Sequence, residues 1–250
     1  MKRLFFPIIT LLVAILLCAC QTDKVNEANK AIAPEVETTE GAQHTTVRII
    51  MATSTANPSE SQKAAVVTTY NTRLLSAGYT EATVQIADRN EPFRVIVTVP
   101  NADMTEIAAL LSEVGYLSFQ DASGYEVLNG TDIAKAEYAY STDLGASVSP
   151  HCIKLTLTEL GCEKFSLASE NAAALQPAGQ NYISIVLDGN IISQPTVTEK
   201  ITYKDLVITG DFSSESAQHL ASMIQGGALP FSMEIAEYET IDLENDTDKD

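Results

Sequence analysis

The chain has 250 residues, of which 33 are acidic and 15 basic, for a formal net charge of −18. Its 45% apolar content is ample for a packed core, which excludes disorder of the whole chain, and beyond the leader no apolar run approaches the roughly 20 residues that span a bilayer. Nucleic acid is a poor partner: phosphate binding needs clustered Lys and Arg, which are missing, and with 6% aromatics and no Trp there is little to stack bases on.

The N-terminus reads Met1-Lys2-Arg3, then an apolar run over residues 4–17, then Cys18-Ala19-Cys20. A basic start, a short apolar stretch and a small residue before the cut describe a secretory signal. LCAC resembles the lipobox of bacterial lipoproteins, in which cleavage precedes a cysteine that is then acylated. The resemblance implies a signal peptide over 1–19 and a lipid on Cys20 that anchors the chain to the cell membrane on its extracytoplasmic face. A plain secretory cut near Ala19 and an uncleaved anchor are the alternatives. Residues 20–45, rich in Glu, Thr, Ala and Asn without apolar period, read as a flexible tether, and 242–250 as an acidic disordered tail.

Between them the apolar pattern predicts, in order, a strand at 47–51, a helix from Ser59 to Ala77 stopped by Gly78, and strands around Val84–Ile86 and Phe93–Val99 separated by a turn at 88–91. Asp103 and Glu106 have capping-box spacing ahead of the stripe Ile107, Leu110, Leu111 and Val114, which Gly115 closes before a strand at Leu117 and Phe119. The order β-α-β-β-α-β is that of a ferredoxin-like α+β base over 46–120.

A second α+β subdomain, the head, is expected over 121–230. Ile153, Leu155 and Leu157 alternate in a strand, Thr158 opens a helix, 169–181 read as loop, and 182–187 form an apolar strand. Asp188-Gly189 makes a tight turn, which requires positive φ at Gly189. A short strand at Val207 and Ile208 precedes a helix capped by Ser213 and stopped by Gly226-Gly227. The alternation of Phe231, Met233 and Ile235 predicts a last strand over 231–241 that returns to the base. IAALLSEVGYLSF and HLASMIQGGALPF echo each other as helix, glycine, strand.

Catalytic motifs are missing: no GxSxG elbow, no HExxH helix, no P-loop and no SxxK with KTG. His44 falls in the tether, His151 at a strand start and His219 on the last helix, and each reads as a surface or structural residue. Neither an enzyme nor a cofactor or metal site is expected. Cys152 and Cys162 could close a short disulfide loop, or stay apart, since a strand running into a helix need not bring the thiols together.

The segment NTRLLSAGYTEATVQI, with the strand ending VTVP, resembles the start of the first extracytoplasmic domain of SecD, a subunit of the bacterial protein-export machinery, through Arg73, Leu74, Gly78 and Pro100. YLSFQDASGYEVLNGTDIAKA continues the likeness through Leu117, Phe119, Asp121, Leu128, Gly130 and Ile133. The strongest stretch is NYISIVLDGNIISQPTVTEKI, with Asp188, Gly189, Ser193, Pro195 and Ile201, and ITGDFSSESAQHLASMIQGGALP closes it through Gly210, Phe212, Ala217, Leu220, Gly227, Ala228, Leu229 and Pro230. In SecD a membrane helix precedes this domain and several follow it; here a lipoprotein signal and an acidic tail stand in those places.

The resemblance therefore implies the base and head without a proton channel. Its expected role is binding exported polypeptide in Sec-dependent translocation, with the translocating preprotein as partner and, beside it, the Sec channel or a full SecD/SecF. Asp188, Gly189, Ser193 and Pro195 form the candidate polypeptide-contact loop. The alternative is a cell-envelope binding lipoprotein that kept the fold and recognises another ligand.

Overall fold

Alternating burial organises the first part of the chain. Val47, Ile49 and Met51 of β1 (Thr45–Ala52) and Val95, Val97 and Val99 of β3 (Arg94–Pro100) are buried on one face of an antiparallel pair, the period of two expected where one side of a sheet meets a core. β2 (Thr83–Ile86) flanks β3. α1 (Glu60–Ser76) begins at Ser59, which forms a reciprocal capping box with Gln62, and buries Val66, Tyr70 and Leu74. α2 (Met104–Ser112) begins at Asp103, whose carboxylate accepts from the N–H groups of Thr105 and Glu106. The computed structural model describes residues 45–87, 92–144 and 148–242, so the leader with Cys20, the tether, the 88–91 turn and residues 243–250 lie outside it.

The last strand of the base is not the one that chain order suggests. β4 (Leu117–Gln120) leaves the base and pairs with β5 (Glu126–Asn129) and β8 (Ser184–Leu187). The place beside β1 goes to β11 (Glu234–Asp242), giving the order β11-β1-β3-β2. Residue chemistry explains the exchange. Leu117, Ser118 and Phe119 are buried, as is every residue of β8, so these strands need cover on both faces. β11 is rich in glutamate and largely exposed, as an edge strand can be. Its Glu237 and Glu239 meet Arg94 and Arg48 at 3.1 and 2.7 Å; exposed pairs of this kind are worth about 0–1 kcal/mol each, but they agree with the register. β11 starts at Glu234 rather than at Phe231, whose ring packs edge-on against Phe93.

The head holds two sheets. One has the order β5-β4-β8-β9, with β9 at Asn190–Ser193; the other, β10-β7-β6, contains β6 (Ile133–Tyr140), β7 (His151–Leu157) and β10 (Asp205–Ile208). α3 (Glu159–Ala174) is capped by Thr158 and runs through residues that periodicity reads as loop. Its second half buries Ala168, Ser169 and Ala172 in place of large apolar side chains, which leaves little hydrophobic period to detect. Ser169 is satisfied inside, donating to the Ser166 carbonyl and accepting from the Ile201 N–H. α4 (Ser214–Gly226), capped by Ser213, packs against both α1 and β6.

Where base and head join, Arg73 is fully buried. Its Nη1 donates to the carbonyls of Leu110 and Glu113 at 3.1 and 2.7 Å, and its Nη2 to those of Val114 and Gly227 at 2.6 and 2.9 Å. These oxygens belong to the end of α2, where the chain departs for the head, and to the end of α4, where it comes back. Leu229 N–H also bonds the Val114 carbonyl at 2.8 Å. Burial pushes the Arg73 pKa down to about 10, against the pull of nearby Tyr70, Asp188 and Glu113, so the group stays charged at neutral pH. Room for it comes from two glycines: a Cβ on Gly115 or Gly226 would overlap the Arg73 side chain. Replacing Arg73 by Met strips the donor from these inward-facing carbonyls and should cost at least about 3 kcal/mol, read as a lower urea midpoint at unchanged slope. An unchanged midpoint would mean that the carbonyls are solvated without it.

Candidate functional site

The apolar strands of the head leave a cleft between its two sheets. A cavity of about 300 Å³ is lined by Phe119 of β4, Ile183 and Ile185 at β8, Leu155 of β7, Phe165 of α3, and all of β10. Its outer wall is the connection from β9 to β10, through Pro195, Thr196, Val197, Ile201 and Tyr203. Phe119 and Phe165 meet edge to face at 6.1 Å between ring centres and stiffen the floor. Val197 is buried and its N–H bonds the Asn181 carbonyl at 2.8 Å, while Ile183 N–H bonds the Pro195 carbonyl at 3.3 Å, so this wall is pinned to the sheet beside it. Tyr203 and Val207, 54% and 49% exposed, mark the mouth.

The four residues of the expected contact loop do not form one site. Asp188 and Gly189 have φ of 48° and 82°, the pair of positive values that a type I′ hairpin turn needs. The Asp188 carboxylate accepts from the N–H groups of Gly115 and Tyr116 at 2.8 and 2.7 Å, and its own N–H donates to the Tyr116 carbonyl. Asp188 thus latches the head turn onto the segment that Arg73 grips. Ser193 and Pro195 lie instead at the cleft: the Ser193 hydroxyl donates to the Thr209 carbonyl at 2.8 Å and closes one end, and Pro195 lines the wall.

The remaining candidates are structural. Cys152 and Cys162 are both free, not a disulfide. The Cys152 thiol points at the Ala139 carbonyl, and burial raises its pKa; the Cys162 thiol points at the Thr202 carbonyl across the head. β7 fixes Cys152 within the ladder while α3 carries Cys162 away from it. His151 stacks on Tyr138 and bonds its hydroxyl at 2.8 Å, and His219 meets Glu113 at 3.4 Å, a hydrogen bond that holds the Glu113 carboxyl below its usual range. Among the described residues no group of three His, Cys, Asp or Glu could hold a metal ion. The sequence does not show that Val197, Ile201, Tyr203 and β10 line one cleft: the apolar pair Val207-Ile208 reveals a strand, but not that it lies at a sheet edge.

A four-stranded, two-helix base that the chain leaves to build a two-sheet head, and re-enters to finish, defines an α+β base-and-head domain. Residues 120–231 match the family model of the SecDF P1 head subdomain. Protein translocase subunit SecD of Acidaminococcus fermentans is 32% identical over 68% of this chain and 37% of its own length, and that of Dictyoglomus turgidum 29% over 60% of this chain and 35% of its own. The chain therefore spans little more than a third of these relatives. SecDF in its super-membrane-facing form superposes with a TM-score of 0.65 at 21% identity, over 83% of this chain and 32% of that one. A chain of SecDF, a membrane component that enhances protein export, gives 0.61 at 22%, over 76% of this chain and 98% of its own. The likeness in structure fixes the fold, and the sequence match places the head: residues 120–231 form a domain similar to the SecDF P1 head.

Because Asp188 accepts two backbone hydrogen bonds at the joint, Asp188→Ala should destabilise the domain by about 1–3 kcal/mol. Gly189→Val should cost a similar amount, about 1–3 kcal/mol, by forcing a β-branched residue to positive φ. Thermal melts check both. An unchanged midpoint for Asp188→Ala would show that the latch is made by the turn backbone alone.

Proposed function

We propose that this chain serves Sec-dependent protein export as a binding domain. Anchored by a lipid on Cys20 at the extracytoplasmic face of the cell membrane, its head holds translocating polypeptide beside the Sec channel or a full SecD/SecF. The observation that carries the reading is the apolar cleft bounded by an edge strand. Such a wall recognises the backbone and apolar side chains of an extended segment with little regard to sequence. The names of the relatives support it: they are protein translocase subunits, and one solved relative enhances protein export. The role is holding, not catalysis, and asks for no cofactor. The net charge of −18 biases capture towards basic and neutral segments, and salt weakens that bias. A second reading, a cell-envelope lipoprotein that takes a small apolar ligand, is favoured by the cavity volume of about 300 Å³, near the lower end for ligand pockets.

A photocrosslinker at Tyr203 or Val207 should capture a stalled secretory chain during export, while one at Tyr238, on the base, should not. No adduct from the cleft, together with tight binding of a small apolar molecule by the purified protein, would favour the second reading. The anchor is tested separately. Cys20→Ser should abolish incorporation of a labelled fatty acid, and continued labelling of that variant would refute a lipid on Cys20.

A further inference from the structure

The β10-β7-β6 sheet has one edge at β6 and the other at β10. On the β6 side, the outward N–H of Ala136 is taken by the Gln225 side chain at 2.7 Å. That bond fixes the parity of the sheet: Ala136 stands opposite Leu155 in a pair that exchanges no backbone bonds, so Leu155 bonds the other way, to Leu206 of β10. The Leu157 N–H, bonded to the Lys204 carbonyl at 2.9 Å, gives the same parity independently. Asp205 and Val207 therefore turn their N–H and C=O groups away from β7. Among the described residues no hydrogen bond reaches those backbone groups. Asp205 and Val207 are exposed, and all of β10 lines the cavity.

We infer that a segment of exported polypeptide adds to the β10 edge as a further β-strand, pairing with the backbone of Asp205 and Val207 and placing an apolar side chain in the cleft. The inference rests on the reading of the head as a polypeptide holder and names how the holding is done. Unpaired strand-edge groups call for another backbone. Leu206 and Ile208 turn towards the core, so the added strand presents its side chains to the same apolar floor on alternate residues. Charge selects among such segments. Around β10 and the wall, Lys200 and Lys204 are paired with Glu170 and Glu159, and Lys154, opposite Val207, has no carboxylate partner among the described residues. Against that one cation, Glu199, Asp205 and Asp211 have no cationic partner among the described residues. The uncompensated rim charge is negative, which favours an apolar segment flanked by Lys or Arg.

The experiment uses the purified full chain and a fluorescent octapeptide of alternating Val and Thr with Lys at both ends. Peptide addition should slow hydrogen exchange at the amides of Asp205 and Val207 at least tenfold. Val207→Pro deletes an outward N–H and leaves the β7 ladder intact, as edge prolines do, and should weaken binding tenfold or more. Val207→Ala keeps the N–H and should weaken it less than threefold. A peptide with Glu at both ends should bind at least fivefold more weakly at low salt. Unchanged exchange at these amides, with Val207→Pro binding like the unaltered chain and Ile185→Trp abolishing binding, would overturn strand addition while leaving the cleft as a polypeptide holder. Protection that rises with protein concentration and without peptide would overturn it in favour of a second copy. If no peptide binds and no export substrate crosslinks anywhere on the head, the functional reading fails and strand addition fails with it.

Discussion

A guanidinium buried without a carboxylate in contact can be kept only by carbonyl oxygens, and Arg73 takes its oxygens from the chain on its way out of the base and on its way back. Much of the architecture follows from that demand. α2 must end at the guanidinium, with Leu110 and Glu113 presenting carbonyls to it. Gly115 and Gly226 must lack side chains because Arg73 fills the space beside them. Tyr70, one turn earlier on α1, donates to the Leu111 carbonyl at 3.0 Å and closes the same helix end from the other side. The echo between the two helix–glycine segments thus has a structural counterpart, since both deliver carbonyls to one cation.

The segment that most resembles SecD turns out to serve this joint more than the cleft. Asp188, in the middle of VLDGNIISQP, holds Gly115 and Tyr116 by their amides, so the head turn and the Arg73 grip bear on adjacent residues from opposite polarities, carboxylate to N–H and guanidinium to C=O. Such geometry tolerates few substitutions and leaves a recognisable motif. A cleft that meets extended backbone needs only apolar walls and an unpaired strand edge, which many residues supply. Its residues therefore stand out far less in the sequence.

Edges are managed by position in the fold. β11 closes the base with an acidic outer strand that discourages pairing with other chains. Gln225, on α4, reaches across to occupy an amide of β6. Ser193 clips the end of β9 to the Thr209 carbonyl, beside the end of β10. The edge of β10 itself is left open where the cavity lies.

By itself the sequence determined most of the local elements and where the helices begin. Ser59, Asp103, Thr158 and Ser213 start the helices because each carries a short polar side chain that can bond the free N–H groups of a first turn. The alternation at 47–51 and 93–99 marked half-buried strands, and Asp188-Gly189 the hairpin turn. The alternation of Phe231, Met233 and Ile235 pointed to a strand returning to the base, where Glu234–Asp242 pairs with β1. Nothing in the sequence showed that Leu117–Gln120 belongs to the head, because strand pairing over such separations depends on which faces find cover, not on order along the chain. The sequence left β5, β6 and the second half of α3 unread, where small or irregularly spaced side chains carry little hydrophobic period. Only the tertiary structure separated Cys152 from Cys162 and divided Asp188 and Gly189 at the joint from Ser193 and Pro195 at the cleft. Local propensity acts between neighbours in sequence; a buried cation and an open sheet edge are made by groups that meet only after folding.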